Sequence, residues 1–128
     1  RWIAYRTNES GQDEIYVQAF PGPGGKARVS AEGGSQPRWR RNGKELFYIA
    51  PDNRLMAVPV ALPSNGQAPN VGAPVALFST VLASRGAPKH QYAVAPDGQR
   101  FLMVVSADET IASPITIVQN WLAGLRAP

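Results

Sequence analysis

No cysteine occurs in these 128 residues. That removes a disulfide framework and any thiolate zinc site, and it leaves the cellular compartment open. The single histidine, His90, cannot assemble a transition-metal site without other soft ligands. No run approaches the roughly 18 consecutive apolar residues that a membrane-spanning helix needs, so no membrane contact is expected within the chain. A signal-peptide pattern is missing, and the chain opens on Arg1-Trp2 rather than on Met. The expectation is that its N-terminal end continues a longer protein. Acidic residues are outnumbered, giving a net charge of +4, which is compatible with nucleic acid, an anionic surface or neither.

Apolar residues make up 44% of the chain, enough at this length to bury a core. Twelve glycines and twelve prolines occur without a collagen period. Many short strands and turns account for that composition. Helices do not, because proline breaks the hydrogen-bond ladder and glycine costs about 1 kcal/mol in a helix interior.

The chain repeats itself. "PRWRRNGKELFY" (37–48) aligns with "YAVAPDGQRFLM" (92–103), so that Asn42-Gly43 falls on Asp97-Gly98, Trp39 on Val94, Leu46 on Phe101 and Tyr48 on Met103. Gln36 falls on Gln91, and "RWIAY" (1–5) matches the second half of the same unit. "EIYVQAF" (14–20), "RLMAVPV" (54–60) and "PITIVQNW" (114–121) follow as β-branched or aromatic strands bounded by turn residues. "ARVSAEG" (27–33) and "PVALFST" (74–80) add a further strand after the first two. Ten strands result, grouped three, four and three. Asn-Gly and Asp-Gly suit type I′ hairpins with positive φ at both central residues. The strands after them, "LFYI" (46–49) and "FLMVV" (101–105), are continuously apolar, which predicts burial on both faces.

Repeating antiparallel four-stranded units buried on both faces are what β-propeller blades require. The expected fold is therefore all-β: a partial blade over 1–34, a blade over 35–80, a partial blade over 89–122 and a C-terminal tail over 123–128. That is about two and a half blades, a fragment of a larger propeller. A β-sandwich would also use ten short strands, but the self-similarity argues against it. Trp121, Leu122 and Leu125 have the spacing of one helical turn. Open sheet edges would promote self-association of such a fragment.

"VAPDGQRFLM" (94–103) resembles the Pro-Asp-Gly signature of TolB-like, WD-repeat-like β-propellers. "AYRTNESGQDEIYVQAFPGPGGKARVS" (4–30), with "PRWRRNGKELFYI" and "RLMAVPV", resembles the C-terminal propeller region of bacterial serine/threonine protein kinases. The resemblance covers Trp2 to about Leu122. It departs at Arg41, where the family pattern has proline. It implies a non-enzymatic segment that recognises a protein or small-molecule ligand as the sensor or interaction region of such a kinase. It also implies a bacterial source, with the segment on the periplasmic side where the kinase is membrane-anchored and in the cytoplasm otherwise. Similar blades occur in the N-terminal propellers of prolyl oligopeptidase-type serine peptidases, which is the alternative parent.

No catalytic constellation accompanies the repeats. There is no glycine-rich phosphate loop, His-Arg-Asp or Asp-Phe-Gly, and "PGPGG" (21–25) lacks the Lys-Ser/Thr and helix of a phosphate site. Gly-x-Ser-x-Gly is absent. His90 aligns with Ser35, which points to a loop or rim position rather than a base. Asp13, Asp52, Asp97 and Asp108 are dispersed without calcium-loop spacing and suit turn and capping roles. No cofactor is expected. Because strands are consumed by packing, binding would fall to loops at one rim. The candidates are Arg6, Asn8, Glu9, Ser10 and Asp13 in the long first loop, with Arg38 and Arg40. On a strand Arg38 and Arg40 point opposite to Trp39, and their repeat partners are Ala93 and Ala95. Three readings of this pair stand: ion pairing with a neighbouring blade, solvation, or contact with an anionic partner. Trp39 is expected to be buried, which disfavours a nucleic-acid platform of exposed aromatics.

Overall fold

A computed structural model describes residues 1–82 and 89–105, and the backbone of 115–119. The helical turn at Trp121, the tail, Asp108 and the loop around it lie outside the described residues. The fold is all-β. Strands β1 (Trp2–Thr7), β2 (Glu14–Ala19) and β3 (Lys26–Arg28) form one antiparallel sheet in that order. The second sheet holds β4 (Ser35–Trp39), β5 (Glu45–Ile49), β6 (Arg54–Ala61), β7 (Asn70–Val71) and β8 (Val75–Ser79). The third holds β9 (Tyr92–Val94), β10 (Arg100–Val104) and β11 (Ile115–Gln119).

All ten expected strands are present, and β7 is an eleventh. The long β6 explains it: its first half pairs with β8 and its far end with β7, through Val60↔Val71 and Ala61↔Asn70. A two-residue strand inside a Gly/Pro-rich loop leaves no period to read. The third strand of the first sheet is also shorter than "ARVSAEG", because Val29 and Ser30 turn inward and are buried.

The sheets stack face to face. Alternation along β5 sends Leu46 and Tyr48 back toward the first sheet, where they meet Ile15, Val17 and Val29 together with Met56, Val58 and Val60. Phe47 and Ile49 point forward and pack, with Leu55, Ala57 and Leu77, on Tyr92, Phe101 and Met103 of the third sheet. The Phe47 and Phe101 rings meet edge to face, 5.0 Å apart at 81°, a favoured aromatic geometry. Four consecutive residues of β5 are thus fully enclosed, each large apolar one contributing roughly 1.5–3 kcal/mol by burial.

For β10 the expectation of burial on both faces fails. Phe101 and Met103 are enclosed, but Leu102 and Val104 remain 47% and 48% exposed. The reason is position in the stack. Leu102 and Val104 are the repeat equivalents of Phe47 and Ile49, the residues that meet the next sheet, and among the described residues no sheet follows. Trp39 is likewise only partly buried, packed at the margin of the core behind β5.

Candidate functional site

The turns set the loop ends of this stack, and they share one geometry. Gly43 donates its N–H to the Arg40 carbonyl and Gly98 to that of Ala95, at 2.9 and 2.8 Å. Gly43 and Gly98 have φ of 70° and 67°, whereas Asn42 and Asp97 are not in the positive region. These are type I turns closed by a left-handed glycine, not type I′ turns. Pro96 occupies the second position, which proline favours in type I turns, and Arg41 takes that place in the other copy. "APDN" (50–53) makes a related turn: Asn53 donates to the Ala50 carbonyl at 2.9 Å with φ of 66°, the asparagine standing in for glycine.

Repeat-equivalent residues bind each other across the sheets. The Gln36 amide donates from Nε2 to Oε1 of Gln91 at 3.2 Å and accepts the Gln91 N–H at 2.6 Å. The Tyr92 hydroxyl donates to the Gln36 carbonyl at 2.7 Å. Burial pushes the Tyr92 phenol far above the ordinary tyrosine range, so it remains a donor. Gln36 itself has φ of 54°, an uncommon conformation for a side-chain-bearing residue, held where the two sheets are tied.

Of the seven expected rim residues, the structure brings only some together. Arg40 is a structural residue: its guanidinium pairs with Glu45 of its own hairpin at 3.2 Å and donates to the Asp97 carbonyl of the third sheet at 2.7 Å. Its neighbour across the stack is therefore a turn carbonyl, and the carboxylate it pairs with belongs to its own sheet. Arg38 is exposed, and among the described residues no carboxylate lies within ion-pair distance of it. Arg6 and Asp13 pair at 3.5 Å. Asn8 lends its backbone carbonyl to the loop's own turn, while the Glu9 and Ser10 side chains reach to β3 and β2. Asn8 accepts the Gly11 N–H, Glu9 lies 3.7 Å from Lys26, and Ser10 donates to Glu14 at 3.0 Å. Glu14 is nearly inaccessible. Gln12 holds its carboxyl below the ordinary glutamate range, with Ser10, Tyr16 and Arg28 adding to this against the opposing effect of burial. Asp52 and Asp97 serve their turns by accepting the N–H groups of Arg54 and Gln99.

Two hollows adjoin at Gln36. The larger, about 400 Å³, is lined by Gln12, Asp13, Glu32, Ser35, Gln36 and Asn53 over a floor that includes Ile49, Pro51 and Leu82. The smaller, about 280 Å³, is lined by Arg6, Lys89 and His90 with Tyr5, Gln36 and Pro37. His90 is exposed, with Nε2 3.0 Å from the Pro37 carbonyl oxygen. Sequence reasoning missed Gln12, Glu32, Ser35, Asn53 and Lys89. The repeated Gln36/Gln91 pair was the one signal that marked this place. Among the described residues no cluster of metal-ligating side chains occurs, and no helix is long and apolar enough to cross a membrane.

These sheets and hollows define an all-β chain of several antiparallel sheets with loop-lined clefts. Comparison with protein-family models, curated proteins and solved structures gives no match.

Proposed function

We propose that this chain is a stretch of a β-propeller of the TolB-like, WD-repeat-like kind and that it acts in recognition rather than catalysis. Its ligand is a protein or small molecule held by loops at one rim, and its parent is a bacterial serine/threonine kinase of which it is the sensor or interaction part. The observation that carries the reading is β5: Leu46 and Tyr48 are covered by the preceding sheet and Phe47 and Ile49 by the following one. Burial between repeats of the same kind is the packing a blade requires. Rim binding is supported by the 400 Å³ hollow, whose lining comes from the β1–β2 loop, the connection before β4 and the β5–β6 loop, the places where function concentrates on a rigid scaffold. Cross-linking of the parent protein in its host, read by mass spectrometry, tests this. Partner cross-links are expected on residues 8–13 and 50–53. Cross-links confined to β3 and β8 at the sheet margins would contradict it. The flanking coding sequence tests the parentage: a kinase domain upstream supports the proposal, and a hydrolase domain with Gly-x-Ser-x-Gly downstream contradicts it.

A further inference from the structure

The smaller hollow gathers basic side chains from the first sheet and from the segment entering the third. Arg6 comes from β1, Gln36 and Pro37 from β4, and Lys89 and His90 from the segment entering β9. Among the described residues no carboxylate lines it. Arg6 meets Asp13 at 3.5 Å through one amino group, while a guanidinium carries five N–H donors in a planar fork. Among the described residues Lys89 has no carboxylate within ion-pair distance. Arg38 follows Pro37 and is exposed, but it does not line the hollow. The His90 contact fixes its chemistry as well. A carbonyl oxygen only accepts, so Nε2 carries the proton toward Pro37, and Nδ1 becomes a second donor in the imidazolium form.

We propose that this hollow binds the phosphoryl group of a small phosphorylated molecule. The inference does not rest on the blade reading or on the parent kinase; it needs only the convergence of these side chains. A guanidinium fork, an ammonium and an imidazolium lining one hollow match a dianion with three accepting oxygens better than a single carboxylate. A nucleic-acid strand is disfavoured, because Tyr5, the aromatic ring lining the hollow, already has one face stacked on Tyr16 at 6.2 Å, short of the run of open aromatic faces that successive bases use.

The test is a titration of the whole 128-residue chain, followed by ¹⁵N-detected NMR, with sodium phosphate and with sodium acetate at constant ionic strength. Saturable shifts are expected at Arg6, Lys89 and His90 with phosphate and much weaker ones with acetate. Lys89→Ala and His90→Ala remove exposed side chains, so their spectra should otherwise stay unchanged. Each should weaken phosphate binding roughly two- to fivefold, the range for one exposed charge contact. Arg54→Gln, a cation that lines neither hollow, should leave it unaltered. Equal response to acetate, shifts that do not saturate, or variants that bind phosphate unchanged would each overturn the proposal. So would tighter binding of a mixed-sequence oligonucleotide lost in the same variants, which would make the site a nucleic-acid contact.

Discussion

Arg38 and Arg40 sit two residues apart on a strand and do different things. Arg40 joins its own hairpin to the turn of the next sheet through Glu45 and the Asp97 carbonyl, while Arg38 is exposed. Arg40→Ala should therefore lower stability by about 1–2 kcal/mol, the cost of unpairing a partly buried charged network, and Arg38→Ala should stay within about 0.5 kcal/mol. Chemical denaturation of both variants checks this; equal effects would mean that the arginines share one role. The glycines divide in the same way. A methyl at Gly43 meets nothing within 4 Å, whereas at Gly98 it would lie 2.6 Å from Nε of Arg40. Gly43→Ala should cost about 1–2 kcal/mol for its left-handed φ alone, and Gly43→Asn less. Gly98→Ala should cost more than Gly43→Ala because Arg40 must also move. Glu14 adds a pH dependence. Its folded carboxyl titrates below the ordinary glutamate range, so its contribution is full above that range and is lost as pH falls through the lowered value. Thermal melts across acidic pH should show this loss, and Glu14→Gln should flatten it.

At the scale of elements, the strands were readable from short β-branched or aromatic runs bounded by turn residues, and in β5 burial on both faces leaves an unbroken apolar run from Leu46 to Ile49. The hairpin positions were readable from Asn-Gly and Asp-Gly, but not the turn type. Only the glycine adopts positive φ, and the hydrogen bond from the glycine N–H back across the turn is set by the backbone, not by the dipeptide. The clefts were the least legible. Glu32, Ser35 and Lys89 are ordinary polar residues in sequence, and they meet only because stacking brings separate loops together. In the loop from Asn8 to Ser10, the Asn8 backbone carbonyl closes the turn and the Ser10 hydroxyl donates to Glu14. Phe101 is the element-level test of the stack. It is fully enclosed between Phe47 and Phe78, so Phe101→Ala should cost about 3–5 kcal/mol. Leu102→Ala, one residue on, should cost well under half as much in the same unfolding experiment.

The whole molecule is a stack with a direction: each sheet turns one set of alternate residues back and the next set forward. Leu102 and Val104 leave the forward face of the last described sheet apolar and open, and exposed apolar patches promote association. The chain should sediment as concentration-dependent oligomers, and Leu102→Lys with Val104→Lys should reduce this without unfolding it. Unchanged sedimentation would show that this face is not what associates. The central claim is the enclosure of β5 between the first and third sheets. Nuclear Overhauser contacts measured from β5 side chains test it directly. The account predicts contacts from Tyr48 and Leu46 to Ile15 and Val17 and, in the same molecule, from Phe47 to the Phe101 ring. Contacts on one side of β5 only, with the other side open to solvent, would contradict it.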